Sequence, residues 1–257
     1  MKCVKSLACL AVAAMTTIGF VDSAEAMSFR VTRGIAGPKG ETNQGAFSEF
    51  SRTKGVTTVD FNSGAPTTGF ARYSFVGNGS SSVRKDMWAP VGANNEKNDS
   101  NYLAVFSGKN VVIDLAKHLN YFGINWGAAH AGNTYSFFNG DRLVRTFTTA
   151  DIDRAGGFAI YSEKHPGSGQ GARDGKQGNG YVHFYSTSAA EIFNRIVISQ
   201  SGGGGFETDN HSFHVGKGAF NFDKELKDVP EPGIALGLMA LGGVLLAKRN
   251  GQKQQEA

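Results

Sequence analysis

Apolar and polar residues alternate in short runs through the middle of the chain. In residues 110–115, Val111, Ile113 and Leu115 fall on one face at a period of two. That period is typical of a β-strand with a single buried face. Further strand-like runs cover residues 57–62, 71–76, 102–106, 121–126, 134–138, 142–147, 158–161, 181–185, 195–199 and 206–215. Between the two ends of the chain the pattern predicts only one helical turn, at 116–120.

Glycine-rich turns and loops separate these predicted strands. Asn139-Gly140 lies between two of them and is a strong short signal for a β-hairpin, whereas the polar stretch 162–180 predicts a long loop. Many short strands with turn signals predict an all-β fold over residues 57–228, a two-sheet antiparallel sandwich of the jelly-roll or lectin-like kind. Residues 27–56 contain few apolar side chains, so we expect a loosely structured N-terminal segment there.

The first 26 residues have the three parts of a secretory signal peptide. The start is basic, residues 7–21 are mostly apolar and predict a signal helix, and Ala24 and Ala26 supply the small-x-small pattern of a cleavage site. We therefore expect residues 1–26 to be removed and the mature chain to begin at Met27.

Cysteine content and charge exclude several classes of function. Cys3 and Cys9 are the only cysteines, and both lie in the predicted signal peptide. The mature chain would therefore have no disulfide, thiol nucleophile or cysteine-ligated zinc. Lys and Arg number 26 against 22 Asp and Glu, which gives a formal net charge of +4. The basic residues are scattered along the chain and form no stripe, so we expect no nucleic-acid partner.

The C-terminal tail, residues 229–257, has three parts in a fixed order. They are Pro230-Glu231-Pro232, an uncharged run over 233–247, and the basic pair Lys248-Arg249. As a helix the run would be about 22 Å long at 1.5 Å per residue, short of the ~20 residues of a full membrane span. An uncharged run closed by basic residues favours a short membrane helix with a cytoplasmic C-terminus. A buried core helix is the other interpretation for a run of this length.

In this order, the three parts of the tail resemble a PEP-CTERM sorting signal. The resemblance implies recognition by an exosortase, a membrane protease-transferase of Gram-negative bacteria whose genomes usually carry exopolysaccharide genes. Pro230, Glu231 and Pro232 would form the processing site, and Lys248 and Arg249 would hold the far end in the cytoplasm. The precursor would then contact the inner membrane transiently, and the product would reach the cell surface or the medium.

Four segments in the middle of the chain carry a second resemblance. They are residues 58–64 (TVDFNSG), 120–127 (NYFGINWG), 136–141 (SFFNGD) and 205–210 (GFETDN). Together they resemble the ectodomain of exosortase-dependent surface proteins, which is similar to lectin-like and carbohydrate-binding jelly rolls. The resemblance implies a non-enzymatic surface or matrix protein for which polysaccharide is a candidate partner.

Glu207 and Asp209 raise the alternative of a glycan-active enzyme. They lie two residues apart on a predicted strand, so both carboxylates point to one face. The spacing is similar to that of laminarinase-like glycosidases, in which a second Glu follows on the same strand, but here His211 and Ser212 stand at those positions. A retaining glycosidase needs two carboxyl groups about 5–5.5 Å apart, so we expect no enzyme. A purely structural matrix protein without a ligand is a further alternative.

Asp60 and Asp209 are candidate ligands of a structural calcium ion, and no other cofactor is predicted. Carbohydrate-binding jelly rolls often end in an Asp-Asn strand that holds calcium beside the opening strand, and Asp209-Asn210 and Asp60 match these places. Calcium takes 6–8 oxygen ligands, many of them backbone carbonyls. The alternative is that Asp209 and Asn210 only hydrogen-bond to the backbone of a turn.

Trp88 is the candidate contact for a glycan. Most of the 19 Phe, 7 Tyr and 2 Trp side chains are needed for a core, but Trp88 lies in a polar, loop-like setting between Lys85 and Pro90. Exposed aromatic rings stack on sugar rings and other amphipathic ligands. The alternative is a loop tryptophan that packs over the edge of the sheet.

Overall fold

The computed structural model describes residues 27–227. The predicted signal peptide (1–26) and sorting tail (229–257) lie outside the described residues. Within the described range the chain forms antiparallel β-strands with few, short helices, which confirms the prediction of an all-β fold. The strands are β1 (Ser28–Thr32), β2 (Val56–Val59), β3 (Ala71–Gly77), β4 (Ser82–Arg84), β5 (Tyr102–Phe106), β6 (Lys109–Gly127), β7 (Asn133–Asn139), β8 (Arg142–Thr148), β9 (Ile160–Pro166), β10 (Ala172–Arg173), β11 (Lys176–Tyr185), β12 (Phe193–Gln200) and β13 (Gly205–Val215). The helices are α1 (Thr149–Arg154), α2 (Phe222–Lys227) and two 3₁₀ turns, Glu49–Arg52 and Ala189–Glu191.

The longest strand, β6, connects most of the sheet. Its first part pairs with β3 and β12, and Ile113 lies opposite Ile196. Its last part pairs with β11 and β13, so that Phe122 lies opposite both Phe184 and Phe213. The main strand order is β2-β13-β5-β6-β12-β7-β8. β6 therefore places the ends of β5 and β13 side by side, which is where the candidate site lies.

Residues 116–120 continue β6, so the predicted helical turn is wrong. The N–H of Ala116 donates to the carbonyl oxygen of Phe70 at 2.9 Å, and Leu119 lies opposite Phe193. Neighbouring strands thus supply hydrogen-bond partners to these backbone groups. A single helical turn would leave most of them unpaired.

A core of buried aromatic side chains is centred on Phe122. Its ring lies 5.1 to 6.4 Å, between centroids, from those of Tyr135, Phe137, Phe184 and Phe213. All five side chains are fully or almost fully buried. Because each ring buries about 150–250 Å², this cluster is a large apolar contribution to the stability of the domain.

The N-terminal segment is fixed to the sheet, whereas the sequence predicted a loosely structured one over 27–56. β1 pairs with β11 along five residues, and the side chain of Phe50 is fully buried. The hydroxyl groups of Ser48 and Tyr121 lie 2.7 Å apart, and that of Tyr121 is 2.8 Å from Nδ1 of His183. The segment is ordered with few apolar residues, because backbone pairing with β11 and buried polar contacts also stabilise it.

The β7–β8 hairpin forms where Asn139-Gly140 predicted it. Asn139 pairs with Arg142, and Gly140 has a φ of 60°, in the left-handed region that glycine adopts without strain. The predicted loop over 162–180 is wrong in part, since β9 extends into it and β10 and the start of β11 lie within it. Those strands are rich in glycine and polar residues, so the sequence lacks the alternating apolar pattern that would have predicted them.

We expect Phe137→Ala to lower the free energy of unfolding by about 3–5 kcal/mol, because it leaves a cavity among four other aromatic rings. The matched control is Leu143→Ala on the neighbouring strand, where the side chain is 52% exposed and the expected change is below about 0.5 kcal/mol. Urea unfolding followed by tryptophan fluorescence measures both. Equal effects of the two substitutions would contradict the aromatic core.

Candidate functional site

A cavity of about 320 Å³ opens where β5 and β13 meet the loop that follows β4. Aromatic and charged side chains share its wall. Side chains in this wall include Arg84, Asp86, Trp88, Tyr102, Phe106 and Glu207. A concave site with aromatic walls and a few convergent polar groups is the usual form of a small-ligand site.

Glu207 reaches the cavity because its neighbours on the sheet are small. It lies opposite Ala104 on β5 and Gly127 on β6. A Cβ atom at Gly127 would lie only 2.7 Å from Cα of Pro90, so glycine is needed there for the loop to approach the sheet. Gly205 likewise leaves room for the carboxyl group of Glu207. The small side chains thus create the space into which the Glu207 carboxyl group projects.

The Glu207 carboxyl group is protonated in the folded protein at neutral pH. Its side chain is 5% exposed, and burial raises its pKa to about 8. Its own backbone N–H lowers the pKa, the negative charge of Asp86 raises it, and the positive charge of Arg84 lowers it. At pH 7 the group is therefore a neutral acid that can both donate and accept a hydrogen bond.

Asp86 fixes the loop that closes one side of the cavity. Its Oδ1 accepts hydrogen bonds from the backbone N–H of Trp88 at 2.9 Å and from the hydroxyl group of Tyr102 at 2.7 Å. Burial raises the pKa of Tyr102, and the hydrogen bond to Asp86 raises it further, so its hydroxyl keeps its proton. Both donors bind Oδ1, which leaves Oδ2 of this exposed carboxylate available to water or ligand.

Trp88 lines the cavity and is half-buried. Its ring stacks on that of His165, with centroids 5.7 Å apart and an angle of 22° between the planes. His165 is in turn held by Asn179 at 3.0 Å and by the carbonyl oxygen of Met87 at 3.2 Å, and burial lowers its pKa. Trp88 is thus packed against His165 and also borders the cavity, and its role as a glycan contact stays a prediction.

Asp209 lies on the same side of β13 as Glu207 but is enclosed. It is fully buried, and its carboxyl group accepts hydrogen bonds from Nδ2 of Asn98 at 2.9 Å, the hydroxyl of Ser100 at 3.4 Å and the N–H of Asn210 at 2.8 Å. Burial raises its pKa well above the ordinary range. Both carboxyl oxygens of Asp209 are thus hydrogen-bonded, and all three of these donors are neutral groups.

Asp60 directly follows β2, which pairs with β13, so the two predicted calcium ligands lie near each other. The carboxylate of Asp60 binds the side chain and the N–H of Asn62. Among residues 27–227, no three His, Cys, Asp or Glu side chains are grouped as metal ligands. The calcium site stays a prediction, and a rise in melting temperature with added calcium, reversed by EDTA, would test it.

The positions after Asp209, where a second glycosidase Glu was considered, do not face the cavity. A β-bulge lies between Asp209 and Ser212, and Asn210 has a φ of 48°. His211 is fully buried between the hydroxyl groups of Tyr73 and Thr208, each 2.9 Å away, and burial lowers its pKa to about 3. It is a neutral core residue.

Sequence reasoning missed Asp86, Tyr102 and Arg84 as members of the site. Trp88 and Glu207 were each singled out, but nothing in their spacing indicated a common cavity. The pairing of β4 with β5, and of β5 with β13, brings them together. The polar setting around Trp88 was the one signal that pointed to the loop.

The remaining predicted site residues lie outside the described residues: Ala24, Ala26, Pro230, Glu231, Pro232, Lys248 and Arg249. Between residues 27 and 227, no helix has the length and apolar character needed to cross a membrane.

Comparison with known proteins found no match: no family model, curated protein or solved structure is similar to the chain.

We expect Glu207→Gln to weaken the pH dependence of stability. The unfolded state loses the Glu207 proton near pH 4.5 and the folded state near pH 8. The stability from the protonated group is therefore complete below pH 4.5 and is lost as the pH rises to 8, a change on the order of 5 kcal/mol. Urea unfolding between pH 4.5 and 9 measures it.

The control for this prediction is Glu163→Gln, at an exposed carboxylate on β9, which should keep the wild-type profile over the same window. Asp209 is present in all three proteins, so the difference between the profiles reports on Glu207. Identical profiles for wild type and Glu207→Gln would contradict the buried neutral acid.

Proposed function

We propose that the chain is the precursor of an exported protein that an exosortase sorts to the cell surface or the extracellular matrix. Its β domain, which we assign to the two-sheet jelly-roll or lectin-like sandwiches, binds a neutral polysaccharide in the cavity beside Trp88. The observation that carries the binding proposal is the convergence of Trp88, Asp86 and Glu207 on one cavity.

The chemistry of the cavity fits a sugar ring. Sugars present apolar C–H faces, which pack on aromatic rings such as that of Trp88, and hydroxyl groups, which need donors and acceptors. The neutral carboxyl group of Glu207 can donate, and Asp86 can accept. Arg84 and Asp86 bring opposite charges to the cavity, so the ligand needs no charge of its own to balance the site.

Support for sorting comes from the order of the tail. Prolines flank Glu231, and this sequence favours an extended backbone, the form that a protease binds. The uncharged run 233–247 is short for a membrane span, so a processing enzyme can release it. The folded domain precedes this signal, since α2 is the last described element and Phe222 packs on Phe50.

A second candidate function is glycoside hydrolysis, favoured by the placement of Asp86 and Glu207 at one cavity. A carboxyl group kept neutral by burial beside an exposed carboxylate is the division of roles that general acid and base catalysis uses. Glu207 would give its proton to the glycosidic oxygen as the bond to the sugar's C1 breaks. Water would add at C1 and lose its proton to Asp86, and the two residues would then exchange the proton through solvent.

Release of new reducing ends decides between binding and hydrolysis. If the protein is an enzyme, the wild type should release them from a bound polysaccharide, and Glu207→Gln should bind without releasing them. If the wild type releases no reducing ends under saturating conditions, the protein binds the polysaccharide without hydrolysing it.

We expect Trp88→Ala to weaken binding of a neutral polysaccharide about tenfold, because it removes the ring on which the sugar stacks. Met87→Ala is the matched control, since Met87 is 61% exposed on the same loop and does not line this cavity. Affinity electrophoresis of the exported chain in gels containing the polysaccharide measures both. Equal mobility of wild type and Trp88→Ala in gels that retard the wild type would exclude this cavity.

We expect Glu231→Ala to block removal of the tail while the β domain folds normally. The unprocessed chain should accumulate in the inner membrane. Immunoblots of cell fractions, probed for one epitope before Pro230 and one after Arg249, follow the two ends separately. The matched control is Glu225→Ala in α2, which should be processed like the wild type. Wild-type protein at the surface that still carries the C-terminal epitope would show a simple anchor.

A further inference from the structure

Met27, the first residue after the predicted cleavage site, is built into the folded domain. Its side chain is 3% exposed and belongs to the main apolar cluster. Its φ is 52°, in the left-handed region that residues with a Cβ rarely occupy. That restriction comes from the peptide bond to the preceding residue. It disappears when Met27 is the first residue of the chain.

Glu191 lies beside the backbone nitrogen of Met27. Its carboxyl group accepts hydrogen bonds from the N–H groups of Thr187 at 2.5 Å and Ser188 at 3.2 Å. Ser28 pairs with Tyr185, so Met27 lies beside the turn that contains Glu191, and the interaction of its backbone N–H with the carboxyl group lowers the pKa of Glu191. The side chain is 4% exposed. Burial alone would raise the pKa of Glu191, but these hydrogen bonds together lower it, so the group is a buried carboxylate.

This carboxylate lacks a basic side chain as a partner. The ion pairs among residues 27–227 involve other acids: Glu49, Asp99, Asp114, Asp141, Asp151, Glu163 and Asp223. A buried charge without a counter-charge is costly. A positive charge at the nitrogen of Met27 would provide the missing partner.

We infer that Glu191 is the binding site for the α-ammonium group of Met27 that signal cleavage creates. The inference rests on the proposed export and on cleavage after Ala26. Hydrolysis of the Ala26–Met27 peptide bond by water leaves a carboxylate on Ala26 and an amine on Met27, which takes up a proton. The neutral N–H beside Glu191 becomes a charged donor, whose hydrogen bonds are stronger.

Two effects therefore favour the cleaved chain. The ammonium group neutralises the buried carboxylate, and the loss of the preceding peptide bond frees Met27 from its left-handed conformation. The β domain is thus more stable after export than as a precursor. This stabilisation requires a carboxylate at position 191 and a free amino group on Met27. It does not depend on a particular side chain in the signal peptide.

The test compares two exported chains. One is the wild type, and the other carries a Gly-Ser insertion between Ala26 and Met27, which keeps the cleavage pattern but moves the ammonium group away from Glu191. N-terminal sequencing verifies both termini. We expect the wild type to melt about 3–6 °C higher, and Glu191→Gln to abolish that difference. Glu163→Gln, at an exposed carboxylate, should preserve it.

Acetylation of the α-amine of the wild-type exported chain gives a second measurement that needs no variant to fold. It should lower the melting temperature by a similar amount. Equal melting temperatures of the wild-type and inserted chains, or an unchanged value after acetylation, would overturn the inference while leaving export intact. So would an equal loss in both chains on Glu191→Gln, which would show that Glu191 only caps Thr187 and Ser188. A mature N-terminus at another residue would overturn both this inference and the predicted cleavage.

Discussion

The backbone of β6 imposes the constraint on which the rest of the domain depends. A buried strand must pair its N–H and C=O groups along its whole length, and β6 runs from Lys109 to Gly127. It does so by exchanging partners, from β3 and β12 to β11 and β13. This exchange sets Phe122 in the aromatic core and brings Gly127 beside Glu207, so the core and the candidate site are consequences of one strand.

Two carboxyl groups on β13 show how their surroundings distinguish residues that look equivalent in sequence. Asp209 is surrounded by donors from Asn98, Ser100 and Asn210 and is a structural residue in this arrangement. Glu207 faces a cavity, with a charged neighbour in Asp86 and a pKa of about 8. Because the neutral carboxyl group of Glu207 borders a cavity, it can form hydrogen bonds with a ligand. The difference arises from what covers each residue, since both lie on the same side of the strand.

Much of the sheet was predictable, because strands with one buried face leave an alternating pattern and Asn139-Gly140 marks its hairpin. The continuation of β6 through 116–120 was not, since it depends on partners far away in sequence. The order in the N-terminal segment was missed for the same reason. Trp88 and Glu207 could be named individually, but their meeting with Asp86 required the pairing of β4, β5 and β13. Export and sorting, by contrast, are predicted from sequence patterns at the two ends.

A crystal structure of the exported chain soaked with an oligosaccharide of the producing cell's exopolysaccharide would test the binding site most directly. We expect density for a sugar ring against the indole of Trp88, with a hydroxyl group within hydrogen-bond distance of Glu207. Density for the sugar at another surface, or an empty cavity at concentrations that saturate binding in solution, would contradict the assignment of this cavity as the glycan site.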